Sequence, residues 1–153
     1  LRTESPRPPL MVGGGTGYAP LRAMLRQLIA TGDRRPVTLY WGGRSEADLY
    51  EHAWLARLES ERPGFAYRPV LSGPQSPDAT GVAARRGLVH EAVIADHPDL
   101  AGFDVYASGP PAMIEAIRTE FARHGLPREQ LFFDSFDYAP DTLSRMKGAV
   151  AAR

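Results

Sequence analysis

The sequence predicts an α/β fold: a doubly wound, five-stranded parallel sheet with helices on both faces. Two observations predict it. Short apolar runs typical of buried strands alternate with segments of helical period. Glycine-rich turns follow the first and the fourth of these strands. Because crossovers between parallel strands are right-handed, we expect the strand order 3-2-1-4-5, with a cleft between strands one and four.

The predicted elements follow one another in regular alternation. The strands are expected at residues 10–13, 37–41, 65–71, 104–107 and 131–134. Apolar residues at helical spacing predict helices over 21–30, 48–58 and 88–95. A fourth helix begins after Pro110 and Pro111, with Met113, Ile117 and Phe121 on one face. The residues between 72 and 87 are expected to form a loop.

Size and composition restrict the class of protein. The 153 residues, 43% of them hydrophobic, suit one compact domain. Eighteen basic and eighteen acidic residues cancel, which argues against nucleic-acid or membrane partners. The sequence contains no cysteine, so this chain holds no disulfide or iron-sulfur cluster. Together with the lack of an apolar run of about 18 residues, this favours a cytoplasmic protein.

The ends of the chain differ from its centre. Residues 1–8 are polar and proline-rich, lack an initiator Met and lead directly into a core strand, as an interdomain linker would. We therefore predict a linker remnant over 1–8 and a folded domain over 9–139. Residues 140–153 match no motif and are assigned as a C-terminal tail.

The turn at residues 13–17 is the strongest functional signal. Glycines let backbone amides approach a phosphate closely, and Pro20 favours the first turn of the helix behind them. The alternative is a glycine-rich turn with only a structural role. A P-loop is excluded because no Lys-Ser or Lys-Thr pair follows the last glycine. The usual dinucleotide fingerprint has an Asp or Glu at the end of the second strand. This sequence has Arg44 there instead.

Four segments in series carry a resemblance to a known family. They are GGTGYAP at 14–20, YWGGRSEADL at 40–49, VYASGPPAM at 105–113 and DSF at 134–136. In order and spacing they resemble the pyridine-nucleotide domain of the ferredoxin-NADP reductase superfamily. The chain looks most like reductases that serve bacterial oxygenases, or the CDP-6-deoxy-glucoseen reductase type. The resemblance covers nearly all of residues 9–139.

The resemblance implies a set of cofactors and partners. NADH or NADPH would bind this domain and give a hydride to FAD on a barrel domain of the same protein. A 2Fe-2S centre on another domain would pass electrons to an acceptor such as an oxygenase. The chain would then be a fragment, inactive without its FAD domain. The resemblance slightly favours NADH, while Arg44 leaves NADPH open.

The same resemblance implies roles for individual residues. Those expected to contact the cofactor are Gly14, Gly15, Thr16, Gly17, Pro20, Arg44, Ser45, Gly109, Pro110, Met113 and Phe136. Ser108 would position the nicotinamide, at a place where the family commonly has cysteine. Arg44 and Ser45 alternatively form a solvated strand end with a helix cap, and Phe136 alternatively lies at the edge of the core.

The histidines and tryptophans are assigned roles that involve no ligand. The four histidines are widely spaced, so no metal site is predicted. Trp41 and Trp54 are interpreted as packing residues. Two alternatives to a reductase stay open. The chain would be a non-catalytic dinucleotide-binding or regulatory module, suggested by Ser108, or an interaction domain whose glycines are only structural.

Overall fold

A computed structural model describes residues 1–74 and 82–135, which form one sheet with helices on both sides. The strands of this part are β1 (Pro9–Gly14), β2 (Val37–Gly43), β3 (Phe65–Leu71), β4 (Arg85–Arg86), β5 (Asp104–Gly109) and β6 (Leu131–Ser135). Its α-helices are α1 (Tyr18–Ala30), α2 (His52–Glu61), α3 (Val89–Asp96) and α4 (Pro111–Arg123). Short 3-10 turns lie at Gly15–Gly17, Glu46–Asp48 and Arg128–Gln130.

The sheet is parallel throughout and has the order β4-β3-β2-β1-β5-β6. Without β4 this is the predicted order 3-2-1-4-5, so the doubly wound fold is confirmed. The predicted number of five strands was wrong. Arg85 and Arg86 add a sixth, edge strand by pairing with Val70 and Leu71. Both arginines are exposed, so no apolar pattern marked the strand in the sequence.

Two apolar clusters fill the two faces of the sheet. Side chains alternate along β1, so Leu10 and Val12 pack in the cluster that α3 and α4 cover. Met11 points the other way, into the cluster that α1 and α2 cover. Because both faces are buried, the central strands consist of continuous apolar residues, as the sequence indicated.

Two helices start where the sequence did not predict. Helix α1 begins at Tyr18, directly after the 3-10 turn, because the first amides of a helix need no intrahelical partner and Pro20 fits its first turn. Helix α2 begins only at His52. The Asp48 carboxylate closes a separate turn before it by accepting the backbone N–H groups of Arg44 and Ser45.

Some predictions fall outside the described residues. They concern the site residue Phe136, residues 75–81 of the expected loop and the tail at 140–153. Within the described residues, no helix combines the length and apolar character needed to cross a bilayer.

Candidate functional site

The two glycine turns touch each other at the carboxyl edge of the sheet. Strands β1 and β5 are neighbours, and Gly13 lies opposite Ser108 in their register. A Cβ atom on Gly17 would lie 2.1 Å from the carbonyl oxygen of Ser108, inside van der Waals contact. Only glycine permits this approach. The predicted meeting of the turns at the switch between strands one and four is confirmed.

A cavity of about 490 Å³ opens beside the turns, on the side of the sheet that α3 and α4 cover. Its walls come from the ends of β1, β2 and β3 and from the first residues of α3 and α4. The lining residues are Gly14, Gly15, Gly42, Gly43, Arg44, Asp48, Ser72, Gly87, Leu88, Val89, His90, Pro110, Ala112, Met113 and Ala116. Most of this lining is apolar, which suits a planar organic ligand.

Five of the predicted site residues that the structure describes line this cavity, and the other six lie outside its wall. Gly14, Gly15, Arg44, Pro110 and Met113 form part of the wall. Thr16, Gly17, Pro20, Ser45, Ser108 and Gly109 lie in the adjoining turns and at the start of α1 without lining the cavity. The structure thus gathers the described candidates at one edge of the sheet.

Gly14 and Met113 form a narrow point between the turn and the cavity. A Cβ atom on Gly14 would lie 2.5 Å from the Met113 sulfur and 3.2 Å from Cδ of Pro110. The bare backbone of Gly14 therefore allows the first turn of α4 to approach β1. This leaves exposed backbone at the cavity, as a phosphate-binding turn requires.

The glycine turn is supported by two aromatic residues. Tyr18 stacks on Trp41 with ring centroids 4.0 Å apart, and its hydroxyl donates to the Glu51 carboxylate at 2.6 Å. The Trp41 indole N–H donates to the Gly15 carbonyl oxygen at 2.9 Å. Burial raises the pKa of Tyr18, which keeps its hydroxyl protonated and able to donate. Trp41 therefore holds the turn as well as packing, a role the sequence analysis missed.

Ser108 carries a buried hydroxyl at the centre of the meeting point. The residue is 1% exposed, and its Oγ has no hydrogen-bond partner within residues 1–74 and 82–135. An unsatisfied buried hydroxyl costs free energy, so Ser108 is the polar group of this region whose retention calls for an explanation.

Arg44 and Ser45 lie at the other end of the cavity, after β2. Ser45 is the N-cap residue of the 3-10 turn at Glu46–Asp48, as the alternative interpretation expected. Oδ2 of Asp48 accepts the backbone N–H groups of Arg44 and Ser45 at 2.9 and 3.1 Å. The exposed Arg44 guanidinium makes no ion pair among the described residues. The cavity lining thus contains one cation, Arg44, and one anion, Asp48.

His90 lines the cavity, whereas the other three histidines make contacts elsewhere. His52 shares a hydrogen bond of 3.1 Å between Nδ1 and the Tyr67 hydroxyl. His124 uses Nδ1 to contact the Pro98 carbonyl oxygen at 3.0 Å. Burial lowers the pKa of His97, which favours its neutral form. The side chains that the structure describes include no group of three or more His, Cys, Asp or Glu residues arranged to hold a metal.

Comparison with known proteins identifies the family. The profile of the oxidoreductase NAD-binding domain matches residues 11–119. The chain is 40% identical over 149 residues to a CDP-6-deoxy-L-threo-D-glycero-4-hexulose-3-dehydrase reductase of Yersinia pestis, covering 89% of this chain and 43% of that protein. It is 37% identical over 137 residues to the ferredoxin–NAD(P)(+) reductase component of the naphthalene 1,2-dioxygenase and salicylate 5-hydroxylase systems of Ralstonia, covering 89% and 40%.

Solved structures agree with the sequence matches. The cytochrome P450 reductase of Amycolatopsis superimposes with a TM-score of 0.79 at 36% identity, covering 89% of this chain and 40% of that one. The ferredoxin reductase of carbazole 1,9a-dioxygenase gives 0.74 at 27% identity, covering 90% and 40%. The chain spans less than half the length of these relatives. It belongs to the oxidoreductase NAD-binding domain family, within the ferredoxin reductase-like superfamily.

Proposed function

We propose that this chain is the pyridine-nucleotide domain of an FAD-dependent reductase, which receives a hydride from NADH or NADPH. The observation that carries the proposal is the contact between two glycine turns beside a mostly apolar cavity of about 490 Å³. The turns offer backbone amides to a pyrophosphate, and the cavity offers apolar walls to an adenine ring. A structural glycine turn alone has no need of such a cavity.

The chain's own residues would hold the two halves of the dinucleotide. The pyrophosphate would lie on the turn at residues 14–17, with the exposed Thr16 hydroxyl as a further donor. The adenosine half would lie between Leu88 and Met113, with its ribose towards Arg44 and Ser45. The nicotinamide would lie towards Ser108, whose hydroxyl has no other partner among the described residues.

Hydride transfer places few chemical demands on the protein. The reduced nicotinamide supplies the hydride, and a flavin is the group that accepts it. The protein must hold the reacting atoms about 3 to 3.5 Å apart and exclude water. In this chain the rigid turns, the Trp41 support and the buried Ser108 would do so. No acid or base is required.

We propose that the acceptor FAD is held by a barrel domain of the same protein, with Phe136 near the flavin. Electrons would then pass through an iron-sulfur centre on another domain to an oxygenase or a similar acceptor. The names of the relatives support this, since they include a reductase component of a dioxygenase system and a dehydrase reductase. A cytoplasmic location stays a prediction that rests on composition alone.

The alternative is a dinucleotide-binding module without hydride transfer. It is favoured by one observation: Ser108 stands where the superfamily commonly has cysteine. Both functions require nucleotide binding, but only the reductase requires flavin reduction, so one experiment separates them.

The test uses the full-length protein that contains this chain, with its flavin bound. Under anaerobic conditions we expect NADH to bleach the flavin absorbance. Gly14→Val should abolish rapid bleaching because its side chain would fill the space next to Met113. Gly102→Val is the matched control, since no atom lies within 4 Å of a Cβ atom there.

Three outcomes are distinct. Bleaching by NADH or NADPH that is lost in Gly14→Val and kept in Gly102→Val supports the reductase. Nucleotide binding in calorimetry without bleaching supports the non-catalytic module. If millimolar nucleotide neither binds nor bleaches the flavin, the proposal is overturned and the chain is an interaction domain.

A further inference from the structure

The first residues of the chain are fastened to the domain at several points. Leu1 packs against the α1 and α2 side of the core. The backbone N–H of Arg2 donates to the Tyr106 hydroxyl at 2.8 Å. Arg7 pairs with the fully buried carboxylate of Asp104 at 2.9 Å. A free tether would make none of these contacts, so the segment at residues 1–8 has a fixed path.

Arg35, in the connection between α1 and β2, binds the backbone of the segment at residues 1–8. Its Nη1 donates to the carbonyl oxygens of Arg2, Ser5 and Arg7, at 3.0, 2.9 and 3.3 Å. Its Nε and Nη2 donate to the Asp33 carboxylate, with a shortest distance of 2.7 Å. One guanidinium thus joins three points of the first eight residues to the folded domain.

The chemistry of this group suits a clamp. A guanidinium is planar and presents five N–H donors in a fixed fork, whereas the ammonium of lysine presents three from a single atom. Asp33 fixes the plane of the fork, and the two side chains are only 14% and 15% exposed. Hydrogen bonding to Arg35 lowers the pKa of Asp33, so the pair stays ionised at neutral pH.

We propose that Arg35 is a positioning residue, which sets the orientation between this domain and the flavin domain that precedes it. The inference rests on the proposed function, and it takes the segment at residues 1–8, predicted to be an interdomain linker, as the connection to the flavin domain. A flexible tether of this length would let its ends separate by about 15 Å, whereas hydride transfer tolerates misplacements of only about 1 Å. The clamp removes that freedom at a distance from the cavity.

The test uses the full-length reductase and single-turnover flavin reduction at increasing NADH concentration. This measurement separates nucleotide affinity from the limiting rate of hydride transfer. Arg35→Met keeps the aliphatic bulk and removes every donor. Arg34→Met is the matched control, because the neighbouring Arg34 is exposed and its side chain makes no ion pair among the described residues.

We expect Arg35→Met to lower the limiting rate about ten- to hundredfold with unchanged NADH affinity, and Arg34→Met to change neither. Trypsin should cut after Arg2 faster in Arg35→Met than in the wild type, because the segment is released. Arg35→Lys should recover part of the rate. If Arg35→Met does not fold, the limiting rate of Arg35→Lys is compared with that of the wild type, and a reduced rate is expected.

Other results would overturn the inference. If the variants lose thermal stability but reduce flavin at the wild-type limiting rate, Arg35 is only structural. A proportional loss of affinity and rate would place its effect in the nucleotide site instead. If the wild-type protein does not reduce its flavin with NADH or NADPH, the proposed function itself fails, which is a separate outcome.

Discussion

The indole Nε1 of Trp41 donates a hydrogen bond to the carbonyl oxygen of Gly15 across 2.9 Å, and so ties the end of β2 to the glycine turn after β1. Trp41 is completely buried and stacks on Tyr18, the first residue of α1. The turn that we propose to bind pyrophosphate is therefore held from a neighbouring strand. Its conformation does not depend on the glycines alone.

Replacing Trp41 with Phe keeps an aromatic ring beside Tyr18 and removes the donor. We expect the free energy of unfolding to fall by about 1–3 kcal/mol, from the lost hydrogen bond and the smaller ring. NADH affinity of this chain, measured by calorimetry, should also fall severalfold because the turn is less rigid. Trp54→Phe is the control, since Trp54 lies in α2 and packs against the Arg26 guanidinium of α1, with no hydrogen bond to the glycine turn among the described residues. Equal affinity in both variants would contradict the supporting role of Trp41.

Gly17 tests the contact between the two turns. In Gly17→Ala the new Cβ atom would overlap the backbone of Ser108 and Gly109, which side-chain motion cannot relieve. We expect a loss of more than about 3 kcal/mol in urea unfolding, or failure to fold. Gly102→Ala, where the added Cβ meets no atom within 4 Å, should stay close to wild type. Similar stability of the two variants would show that the turns lie further apart.

Local and long-range contacts of the glycine turns differ in how far the sequence reveals them. The glycine turns and the strand order follow from local signals, namely apolar runs and punctuating glycines, and both were predicted correctly. The hydrogen bond from Trp41 joins residues 26 positions apart, and nothing in the local pattern distinguishes it from simple packing. Long-range polar contacts become visible only when the topology has been built.

The wrong start of α2 and the missed strand β4 also result from contacts that the local sequence pattern does not show. The start of α2 was predicted too early because Leu49 fits the helical stripe and is buried, yet Asp48 closes a turn just before it. The edge strand at Arg85–Arg86 depends on pairing with β3, so its two exposed residues gave no signal. The Arg35 contacts lie 28 to 33 positions away along the chain and were likewise invisible.

Ser108 allows stability and function to be separated. Its buried hydroxyl has no partner among the described residues, so Ser108→Ala should raise the free energy of unfolding by about 1 kcal/mol. The same change should slow flavin reduction in the full-length protein, because the nicotinamide loses a polar contact. Ser108→Cys, which restores a weak donor of similar shape, should recover part of the rate. If Ser108→Ala lowers stability and leaves the rate unchanged, the hydroxyl serves the fold and not the nucleotide.

Asp48 offers a physical reason to expect NADH rather than NADPH. Its carboxylate accepts the backbone N–H groups of Arg44 and Ser45, and it lines the same cavity as Arg44 with the opposite charge. A 2′-phosphate placed beside Arg44 would gain from the cation but would be repelled by the carboxylate. At a few ångströms in a solvated site each such pair contributes on the order of 1 kcal/mol, so the two effects nearly cancel.

Asp48→Asn should shift this balance towards NADPH. The amide oxygen still accepts the backbone N–H groups of Arg44 and Ser45, so the turn is preserved while the negative charge is removed. We expect kcat/KM for NADPH in the full-length reductase to rise about five- to tenfold, with little change for NADH, and the gain to shrink at high salt. Asp99→Asn is the control, since Asp99 caps a turn before β5 at the opposite edge of the sheet. An unchanged NADPH to NADH ratio in Asp48→Asn would show that the 2′-phosphate lies away from Asp48 and that selectivity arises elsewhere.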